Sequence, residues 1–344
     1  MPVARRVVTI GLWWMLAAPT TIALRRDTPR ELIRYKDSRV SMACAYQIVA
    51  YGNDLQQLRI VVERAFDEID RIDRLMSHYK PDSPLSRLNR QAAQGPMKIE
   101  PELFDFIAEC LRYSSVSNGA FDITVGSLMK AWGFFRGEGR MPSDQELSVA
   151  RRTVGYQHVI LNAEEQTIYF DQPGVELDLG GIAKGYAVDR AVGVLRLGNI
   201  SRALVSAGGS TIYGLGSPPR EAGWTVKIQD PVAPDKTALT VRLKDQALSV
   251  SGSYEKFFEL GGHRYSHIMD PRTGRPVEGT LGVAVITDNG TAGDALDNVF
   301  YVQGAVWSRK SLAAFPVSAV IFFLSETGRK WRMETLQRTS LHRR

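Results

Sequence analysis

Two aspartates, Asp294 and Asp297, stand at a spacing that could bring both carboxylates to one point. They follow the polar run 288–293, and the sequence Asp-Ala-Leu-Asp-Asn-Val-Phe-Tyr-Val that begins at Asp294 predicts the start of a buried helix. Residues at i and i+3 share a helix face, and converging oxygen ligands suit a hard cation such as Mg²⁺. The alternative is helix capping, because acidic side chains are common near helix N-termini. Taken alone the pair favours capping, and the other motifs reverse that preference.

A glycine turn in 176–190 is the second candidate. The pattern predicts a strand that ends at Asp178, a turn through Gly180 and Gly181, and then a helix. Backbone N–H groups at a helix N-terminus attract phosphate, and Lys184 stands where it could neutralise a diphosphate. The glycine spacing matches neither a Walker loop nor a dinucleotide fingerprint. By itself the segment is equally consistent with an ordinary strand-to-helix turn.

His267 is the third candidate, since it is one of only five histidines and stands before an Asp-Pro turn at Asp270. A histidine can take a proton from a hydroxyl near neutral pH. Single histidines are more often structural, so this segment too leaves both interpretations open.

Strands and helices must position these side chains. Apolar spacing predicts helices over 55–75 and 103–116, and Ser83 with Pro84 predicts the cap and first residue of a short helix. Strands are predicted over the following ranges: 45–51, 159–161, 167–170, 175–179, 203–206, 225–228, 239–243, 248–251, 281–286 and 319–323. Clustered strands with intervening helices predict an α+β fold, a single intertwined catalytic domain of mixed or antiparallel sheets with packed helices.

Composition excludes several classes of protein. The chain has 344 residues, 44% of them hydrophobic, which is enough for a full core. Its net charge of +6 is spread along the chain, whereas a nucleic-acid-binding protein normally carries a clustered basic face. The two cysteines, Cys44 and Cys110, form no C-x-x-C pair, so a zinc site is not expected.

The N-terminus predicts export. Arg5 and Arg6 precede 7–24, a stretch without charge, which is typical of a signal peptide or a short membrane anchor. A buried N-terminal helix is the alternative. We therefore expect a periplasmic protein or one anchored to the outer face of the cytoplasmic membrane. The predicted organisation is an export segment (1–24), a linker (25–40), the catalytic domain (41–335) and a basic tail (336–344).

In order and spacing, these motifs resemble the ApbE family, the FAD:protein FMN transferases. The resemblance runs from about Met42 to Gly304. It is carried by the following stretches: Met76-Ser77-His78-Tyr79, Pro81-Asp82-Ser83, Gly119-Ala120-Phe121-Asp122, Asp178-Leu179-Gly180-Gly181-Ile182-Ala183-Lys184-Gly185-Tyr186, Ser251-Gly252-Ser253-Tyr254-Glu255, Ser266-His267-Ile268-Met269-Asp270-Pro271 and Asp294-Ala295-Leu296-Asp297.

The resemblance implies transfer of FMN from FAD to a threonine or serine hydroxyl of an acceptor flavoprotein, with release of AMP. It implies these FAD contacts: Met42, Tyr79, Ala120, Phe121, Asp122, Asp178, Lys184, Ile268 and Met269. It implies Mg²⁺ ligands at Asp294, Asp297, Asn298 and the carbonyl of Gly181. His267 would activate the acceptor hydroxyl, with Lys184 and the Asp294 site offsetting the developing charge.

Some positions depart from the family pattern. Asn298 stands where the family normally has threonine, and Gly180 where serine is common. Two other functions remain open at this point, a Mg²⁺-dependent FAD pyrophosphatase and a non-catalytic FAD-binding protein. The implied acceptor is a redox-complex subunit or an FMN-binding domain, with association with the inner membrane as a further expectation.

Overall fold

Amphipathic helices and strands of alternating burial make up the part of the chain that the structure, a computed structural model, describes: residues 31–326 and 330–337. The described residues from Leu32 onward form one compact unit. The helices are α1 (Leu55–Met76), α2 (Pro84–Gln91), α3 (Pro101–Val116), α4 (Gly126–Ala131), α5 (Asp144–Arg151), α6 (Ala183–Leu197) and α7 (Gly290–Ser311). The α+β prediction is confirmed.

Nine of the ten predicted strands are formed, most of them a residue or two longer, and the structure adds eight strands that were not predicted. In chain order the strands are β1 (Ile33–Ser41), β2 (Cys44–Gly52), β3 (Met97–Lys98), β4 (Val159–Asn162), β5 (Thr167–Phe170), β6 (Ala203–Ala207), β7 (Thr211–Leu215), β8 (Trp224–Gln229), β9 (Thr237–Leu243), β10 (Gln246–Gly252), β11 (Phe257–Leu260), β12 (His263–Ser266), β13 (Met269–Asp270), β14 (Arg275–Pro276), β15 (Thr280–Thr287), β16 (Val317–Ser325) and β17 (Trp331–Gln337). The eight that were not predicted are β1, β3, β7, β11, β12, β13, β14 and β17.

An eight-stranded sheet is the centre of the fold, in the order β1-β2-β6-β7-β10-β15-β16-β17. Every neighbouring pair in it is antiparallel. Successive side chains of a strand point to opposite faces, and the core divides accordingly. On β15, Val283 and Val285 face the helices, whereas Ala284 faces the β8–β9 hairpin. Because both faces are covered, the middle strands are buried along most of their length, and β7 is buried at every position.

Three helices, α1, α6 and α7, cover one face of this sheet and carry much of the site. The N-cap of α1 is Asp54, whose carboxylate accepts the N–H groups of Gln56 and Gln57. The buried stripe of α1 includes Val62 and Phe66, and each fully buried side chain of that size contributes about 1.5–3 kcal/mol relative to an exposed one. This packing fixes the helices against the sheet, so that loops at their ends meet at one place.

The predicted linker, 25–40, is wrong from Ile33 onward, because that part of it belongs to β1. The strand pairs with β2 along its whole length. The segment is charged, as an edge strand with one exposed face often is. Arg39 on β1 reaches across to Glu63, Asp67 and Asp70 of α1. This network ties the edge strand to the helix layer.

The strand predicted over Val175–Leu179 is also not formed. The segment is extended, but its backbone partners are a side chain and a loop. Asn89 accepts the N–H of Leu177 and donates to its carbonyl, and the N–H of Asp178 donates to Ile123. Apolar alternation predicted the extended shape, whereas the absence of a neighbouring strand is a property of the tertiary structure.

The predicted export segment, 1–24, lies outside the described residues, as does the predicted basic tail beyond Gln337. Residues 336 and 337 of that tail belong to β17. Within the described part of the chain, no helix combines the length and the apolar character needed to cross a membrane.

Candidate active site

One cavity of about 490 Å³ is lined by every residue that the sequence analysis assigned to the site. Its volume is within the range of small-molecule sites. The assigned residues in its wall are Met42, Tyr79, Ala120, Phe121, Asp122, Asp178, Gly181, Lys184, His267, Ile268, Met269, Asp294, Asp297 and Asn298. They come from the β1–β2 turn, the ends of α1 and α3, the turn before α6, the segment after β12, and α7.

The aspartates of α7 do not cap their own helix. Its N-cap is Asn289, whose side chain accepts the N–H of Ala292. Asp294 and Asp297 lie in the second turn and beyond, and they are only 4% and 2% exposed. The helix start predicted near Asp294 is therefore four residues too late, and helix capping of α7 does not explain these carboxylates.

Asp294 instead joins α7 to α6. Its Oδ2 accepts the N–H of Gly185, 2.6 Å away, and its Oδ1 accepts the hydroxyl of Thr211. Gly185 belongs to the first turn of α6, where N–H groups have no partner in their own helix. The carboxylate therefore satisfies a free N–H group at the start of another helix. At the same time it is held in the cavity wall.

Asp189 makes the reciprocal connection from α6 to α7. Its two carboxylate oxygens accept the N–H groups of Gly290 and Thr291 at 2.7 and 2.8 Å, and Oδ2 also accepts the hydroxyl of Thr291. Each helix thus supplies a carboxylate to the N-terminus of the other. A side chain at Gly185 would overlap the carbonyl of Gly290, so glycine permits this close approach.

Asn298 brings three oxygens together. Its Nδ2 donates to the carbonyl of Asp294 at 2.8 Å, to Oδ1 of Asp297 at 2.9 Å and to the carbonyl of Gly181 at 3.3 Å. Burial, and secondarily the nearby Asp294 carboxylate, raise the pKa of Asp297 well above its usual value. Two buried carboxylates in mutual repulsion would gain from a cation between them.

The donor set fits a hard cation. Two carboxylates and the Gly181 carbonyl offer oxygen, the ligand that Mg²⁺ prefers, and Asn298 would do so with its amide turned so that Oδ1 takes the place of Nδ2. Within residues 31–326 and 330–337 no group of three or more His, Cys, Asp or Glu side chains is arranged to hold a metal ion. A cation here would therefore depend on the neutral oxygens of Gly181 and Asn298 in addition to the aspartates.

Lys184 places an ammonium group in the same cavity. Its Nζ donates to Oγ of Ser210 at 2.7 Å. Burial opposes its charge, but Asp294 and Glu255 more than compensate and raise its pKa. Lys184 is therefore charged and, with one hydrogen bond donated to Ser210, has further N–H groups for an anionic ligand.

His267 presents one ring nitrogen to the cavity. Its Nδ1 lies 3.1 Å from the carbonyl of Lys256, an acceptor, so Nδ1 carries the proton and Nε2 is left as the basic atom. Burial lowers its pKa to about 4. The imidazole is therefore neutral, as a proton acceptor must be, at every pH above about 5.

The remaining assigned residues differ in how they can act. Tyr79 is 53% exposed and stacks on Phe135 with ring centroids 5.1 Å apart, so its ring is open to a planar ligand. Asp122 is buried, and its carboxylate is used by Thr124 and by the N–H of Tyr156. Its part in the site is therefore to hold its loop. Met42 has a positive φ of 51° in the β1–β2 turn.

Sequence reasoning missed several cavity residues. Ser210, Glu255 and Cys44 line the wall, Thr211 donates to the carboxylate of Asp294, and Asp189 accepts N–H groups at the start of α7. Both cysteines are free; Cys110 is buried, whereas Cys44 lines the cavity. Asp189 was available in the sequence as an acidic residue on the buried side of α6. Glu255 ends one of the stretches that carry the resemblance, whereas Cys44, Ser210 and Thr211 are small residues on strands or in a turn, and nothing in their local pattern distinguishes them.

Comparison with known proteins identifies related chains. A family model described as the ApbE family matches residues 42–322. The FAD:protein FMN transferase of Escherichia coli (strain K12) is 33% identical over 282 residues, which cover 78% of this chain and 79% of the relative. The FAD:protein FMN transferase of Vibrio cholerae (serotype O1) is 33% identical over 305 residues, covering 85% and 87%.

Solved structures agree with these matches. The ApbE protein of Thermotoga maritima superposes with a TM-score of 0.80 at 28% identity, covering 88% of this chain and 96% of that one. The flavin transferase ApbE of Vibrio cholerae superposes with a TM-score of 0.77 at 28% identity, covering 89% and 97%.

Proposed function

This chain belongs to the ApbE family, and we propose that it is a transferase that moves FMN from FAD to a hydroxyl of an acceptor flavoprotein and releases AMP. The observation that carries the proposal is the convergence in one cavity of a neutral imidazole, a buried ammonium group and two buried carboxylates. Acid–base and electrostatic groups of this kind are what a phosphoryl-type transfer requires.

The reaction proposed at this site is a displacement at phosphorus. Nε2 of His267 takes the proton of the acceptor threonine or serine as its oxygen bonds to the FMN-side phosphorus of FAD. The bond between that phosphorus and the bridging oxygen breaks, and the oxygen leaves as part of AMP. Lys184 stabilises the negative charge on the phosphate oxygens through its ammonium group. Positioning and charge neutralisation supply most of the catalysis in such reactions.

We further propose that Asp294, Asp297, Asn298 and the carbonyl of Gly181 hold a Mg²⁺ ion. When bound, such an ion neutralises phosphate charge and orients the diphosphate. The repulsion between two buried carboxylates, and the Gly181 carbonyl and Asp297 carboxylate that meet at the Asn298 amide, support this assignment. The adenine and flavin contacts proposed for Met42, Tyr79 and the other cavity residues rest on their place in the same wall.

Export is also proposed. It is supported by the charge-free stretch 7–24 after Arg5 and Arg6. A protein exported in this way would meet its acceptor outside the cytoplasm, on a membrane redox subunit or a secreted FMN-binding domain. Fractionation of cells that produce the full chain tests this, because recovery in the cytoplasm alone would contradict export.

The deciding experiment uses a chain that starts at residue 25, mixed with FAD, Mg²⁺ and an FMN-binding-domain acceptor. Intact mass spectrometry of the acceptor is combined with measurement of AMP. We expect an FMN-sized mass gain and equimolar AMP, both lost when EDTA removes the metal and both restored by excess Mg²⁺.

The variant Asp294→Asn is a better probe than alanine, because an amide oxygen can still accept the N–H of Gly185. It should fold and fail to transfer. Asp144→Asn is the matched control, since that side chain is 98% exposed and lies outside the cavity. Metal-dependent AMP without an adduct would indicate an FAD pyrophosphatase, and neither product would indicate an FAD-binding protein.

A further inference from the structure

A second cavity lies next to the active site and is rich in arginine. Its volume is about 570 Å³, and its wall contains Arg151, Arg152, Arg272 and Arg275 but only one acidic residue, Asp144. The first two arginines stand at the end of α5, and the other two belong to the β13–β14 hairpin, more than a hundred positions later. The fold thus gathers charges that are far apart in the sequence. We call this cavity the arginine groove.

Most of this positive charge is not neutralised by the protein. Nη2 of Arg151 donates to the carbonyl of Arg272 at 3.0 Å, and within the described part of the chain neither Arg151 nor Arg152 pairs with a carboxylate. Arg275 lies 3.6 Å from the carboxylate of Asp144, which is almost fully exposed, and a surface ion pair of this kind contributes little. Because arginine stays protonated at every ordinary pH, the groove is a cationic surface open to solvent.

Arg272 is the fixed member of the set. Its Nε and Nη2 donate to the two carboxylate oxygens of Asp270 at 2.9 Å, and its Nη1 donates to Oε1 of Gln303 at 3.3 Å. The indole N–H of Trp132 donates to the carbonyl of Gly274 at 2.9 Å. These bonds hold the β13–β14 hairpin in place. The groove is therefore formed before any ligand arrives, and its other guanidinium groups have N–H donors to offer.

Local structure explains only part of the charge. Cations are favoured near the C-terminus of a helix, which accounts for Arg151 and Arg152 at the end of α5. It does not account for Arg275, which comes from β14 and lines the same groove. Guanidinium groups bind carboxylates and phosphates through paired hydrogen bonds. Their convergence from two separate elements indicates a surface that binds an anionic partner.

The position of the groove indicates which partner this is. Pro271 lines both the groove and the active-site cavity. It stands four residues after His267, the proposed base, so their Cα atoms are at most about 14 Å apart. An extended chain covers that distance in about four residues. A segment of the acceptor whose hydroxyl lies at His267 can therefore place a residue a few positions away in the groove.

We propose that the arginine groove is a docking surface for the acceptor protein, and that it binds acidic side chains within about five residues of the threonine or serine that receives FMN. The inference rests on the proposed function for the identity of the partner. The phosphates of FAD fit the groove less well, because Lys184 and the proposed metal ligands that would meet them line the other cavity. The place of the groove beside the transfer site favours the acceptor over a membrane or a nucleic acid.

The test is equilibrium binding of the acceptor, which needs no turnover. The probe is a fluorescently labelled FMN-binding domain with two glutamates placed within about five residues of its threonine. Its dissociation constant is measured by anisotropy for the unsubstituted protein and for the double variant Arg152→Glu/Arg275→Glu. Both side chains are exposed and lie outside the active-site cavity. We expect binding to weaken roughly tenfold, because two surface ion pairs are lost and replaced by repulsion, while FAD affinity and kcat stay unchanged.

Three controls separate charge from structure. Arg152→Lys/Arg275→Lys keeps both charges and should bind the acceptor nearly as the unsubstituted protein does. Arg242→Glu is the matched control, because Arg242 is exposed on β9 and lies outside both cavities. An acceptor with lysines in place of the two glutamates should bind the unsubstituted protein weakly and Arg152→Glu/Arg275→Glu more tightly.

Equal acceptor binding by the unsubstituted protein and Arg152→Glu/Arg275→Glu would overturn the proposal. Weakened FAD binding in that variant would also overturn it, because the groove would then belong to the nucleotide. So would unchanged acceptor binding combined with lost binding to phosphatidylglycerol vesicles, since that result assigns the groove to a membrane.

Failure of this inference is separable from failure of the transferase proposal. If the acceptor binds through the groove but forms no adduct and releases no AMP with FAD, the transferase proposal fails and the docking surface stands. If the adduct forms and acceptor affinity is the same with and without the two arginines, only the docking surface is lost.

Discussion

At the scale of single residues, the site depends on groups whose charge is set by their surroundings. His267 is kept neutral by burial, and Lys184 is kept charged by carboxylates. The protein thus pairs a proton acceptor with a cation in one cavity, although both side chains are basic. The hydrogen bond from Nδ1 of His267 to Lys256 decides which nitrogen of the imidazole is free.

Substitution of His267 tests its role as general base. We expect His267→Gln to lower the rate of transfer by about 10²–10⁴-fold, the usual contribution of a general base, while FAD binds nearly as before. Single-turnover measurement of the acceptor adduct at saturating FAD gives the rate. His263→Gln is the matched control, because His263 is exposed and outside the cavity wall. Equal rates for both variants would remove His267 from the mechanism.

The pH dependence follows from the same imidazole. A histidine of ordinary pKa, near 6.5, would lose activity below that value, whereas His267 stays unprotonated down to about 4. The value of kcat/KM for FAD reports the free enzyme. It should therefore be constant from pH 8 to about 5 and fall only at lower pH. An inflection near 6.5 that disappears in His267→Gln would contradict the burial argument.

At the scale of elements, the decisive feature is the crossing of α6 and α7. Each helix gives a carboxylate, Asp189 or Asp294, to the N-terminus of the other. The two backbones touch at Gly185 and Gly290. The backbone of Asp294 belongs to α7, and its Oδ2 accepts a hydrogen bond from Gly185 of α6. Displacement of either helix would therefore move a proposed metal ligand. Structure and site are therefore coupled through this crossing.

Two glycines of α6 provide a matched pair of substitutions. A Cβ at Gly185 would overlap the carbonyl of Gly290, whereas a Cβ at Gly193 has nothing within 4 Å. We expect Gly185→Ala to lower the free energy of unfolding by about 1–3 kcal/mol, the usual cost of overpacking, and to abolish transfer. Gly193→Ala should raise the stability by about 0.5–1 kcal/mol, since alanine favours a helix.

Urea unfolding followed by circular dichroism measures both free energies, and the mass assay measures transfer. If Gly185→Ala were as stable and active as Gly193→Ala, the close approach of the helices would not constrain the site.

At the scale of the whole molecule, the eight-stranded sheet joins strands from both ends of the described chain, from β1 to β17. Most of its edge strand β1 comes from a segment predicted as a linker, and the proposed FAD contact Met42 lies in the turn that follows β1. This turn at the edge of the sheet lines the same cavity as the start of α6 and the second turn of α7. Loops far apart in the sequence thereby form one cavity wall.

Truncation tests where the folded unit begins. A chain that starts at residue 31 should unfold at about the temperature of the longer protein and keep its transferase activity. A chain that starts at residue 43 loses β1, the Arg39 network and Met42, and it exposes the backbone of β2 as a new edge. We expect it to be less stable and prone to aggregation. Thermal unfolding and soluble yield measure this, and equal stability would show that β1 is dispensable.

The sequence by itself determined the fold class, most of the helices and about half of the strands, and fourteen of the residues that line the cavity. This was possible because apolar periodicity reports burial directly, as in α1 and β15, and because the segments around Asp178, His267 and Asp294 keep their order and spacing. Local patterns of this kind depend on residues within a turn or two of one another.

Only the tertiary structure decided which element satisfies each polar group. It showed that Asp294 accepts an N–H group of α6 rather than of its own helix, and that 175–179 pairs with Asn89 and a loop rather than a strand. It also brought the arginines of α5 and of the β13–β14 hairpin together in one groove. Hydrogen bonds and burial between distant segments depend on how the helices and the sheet pack, and no local pattern contains that information.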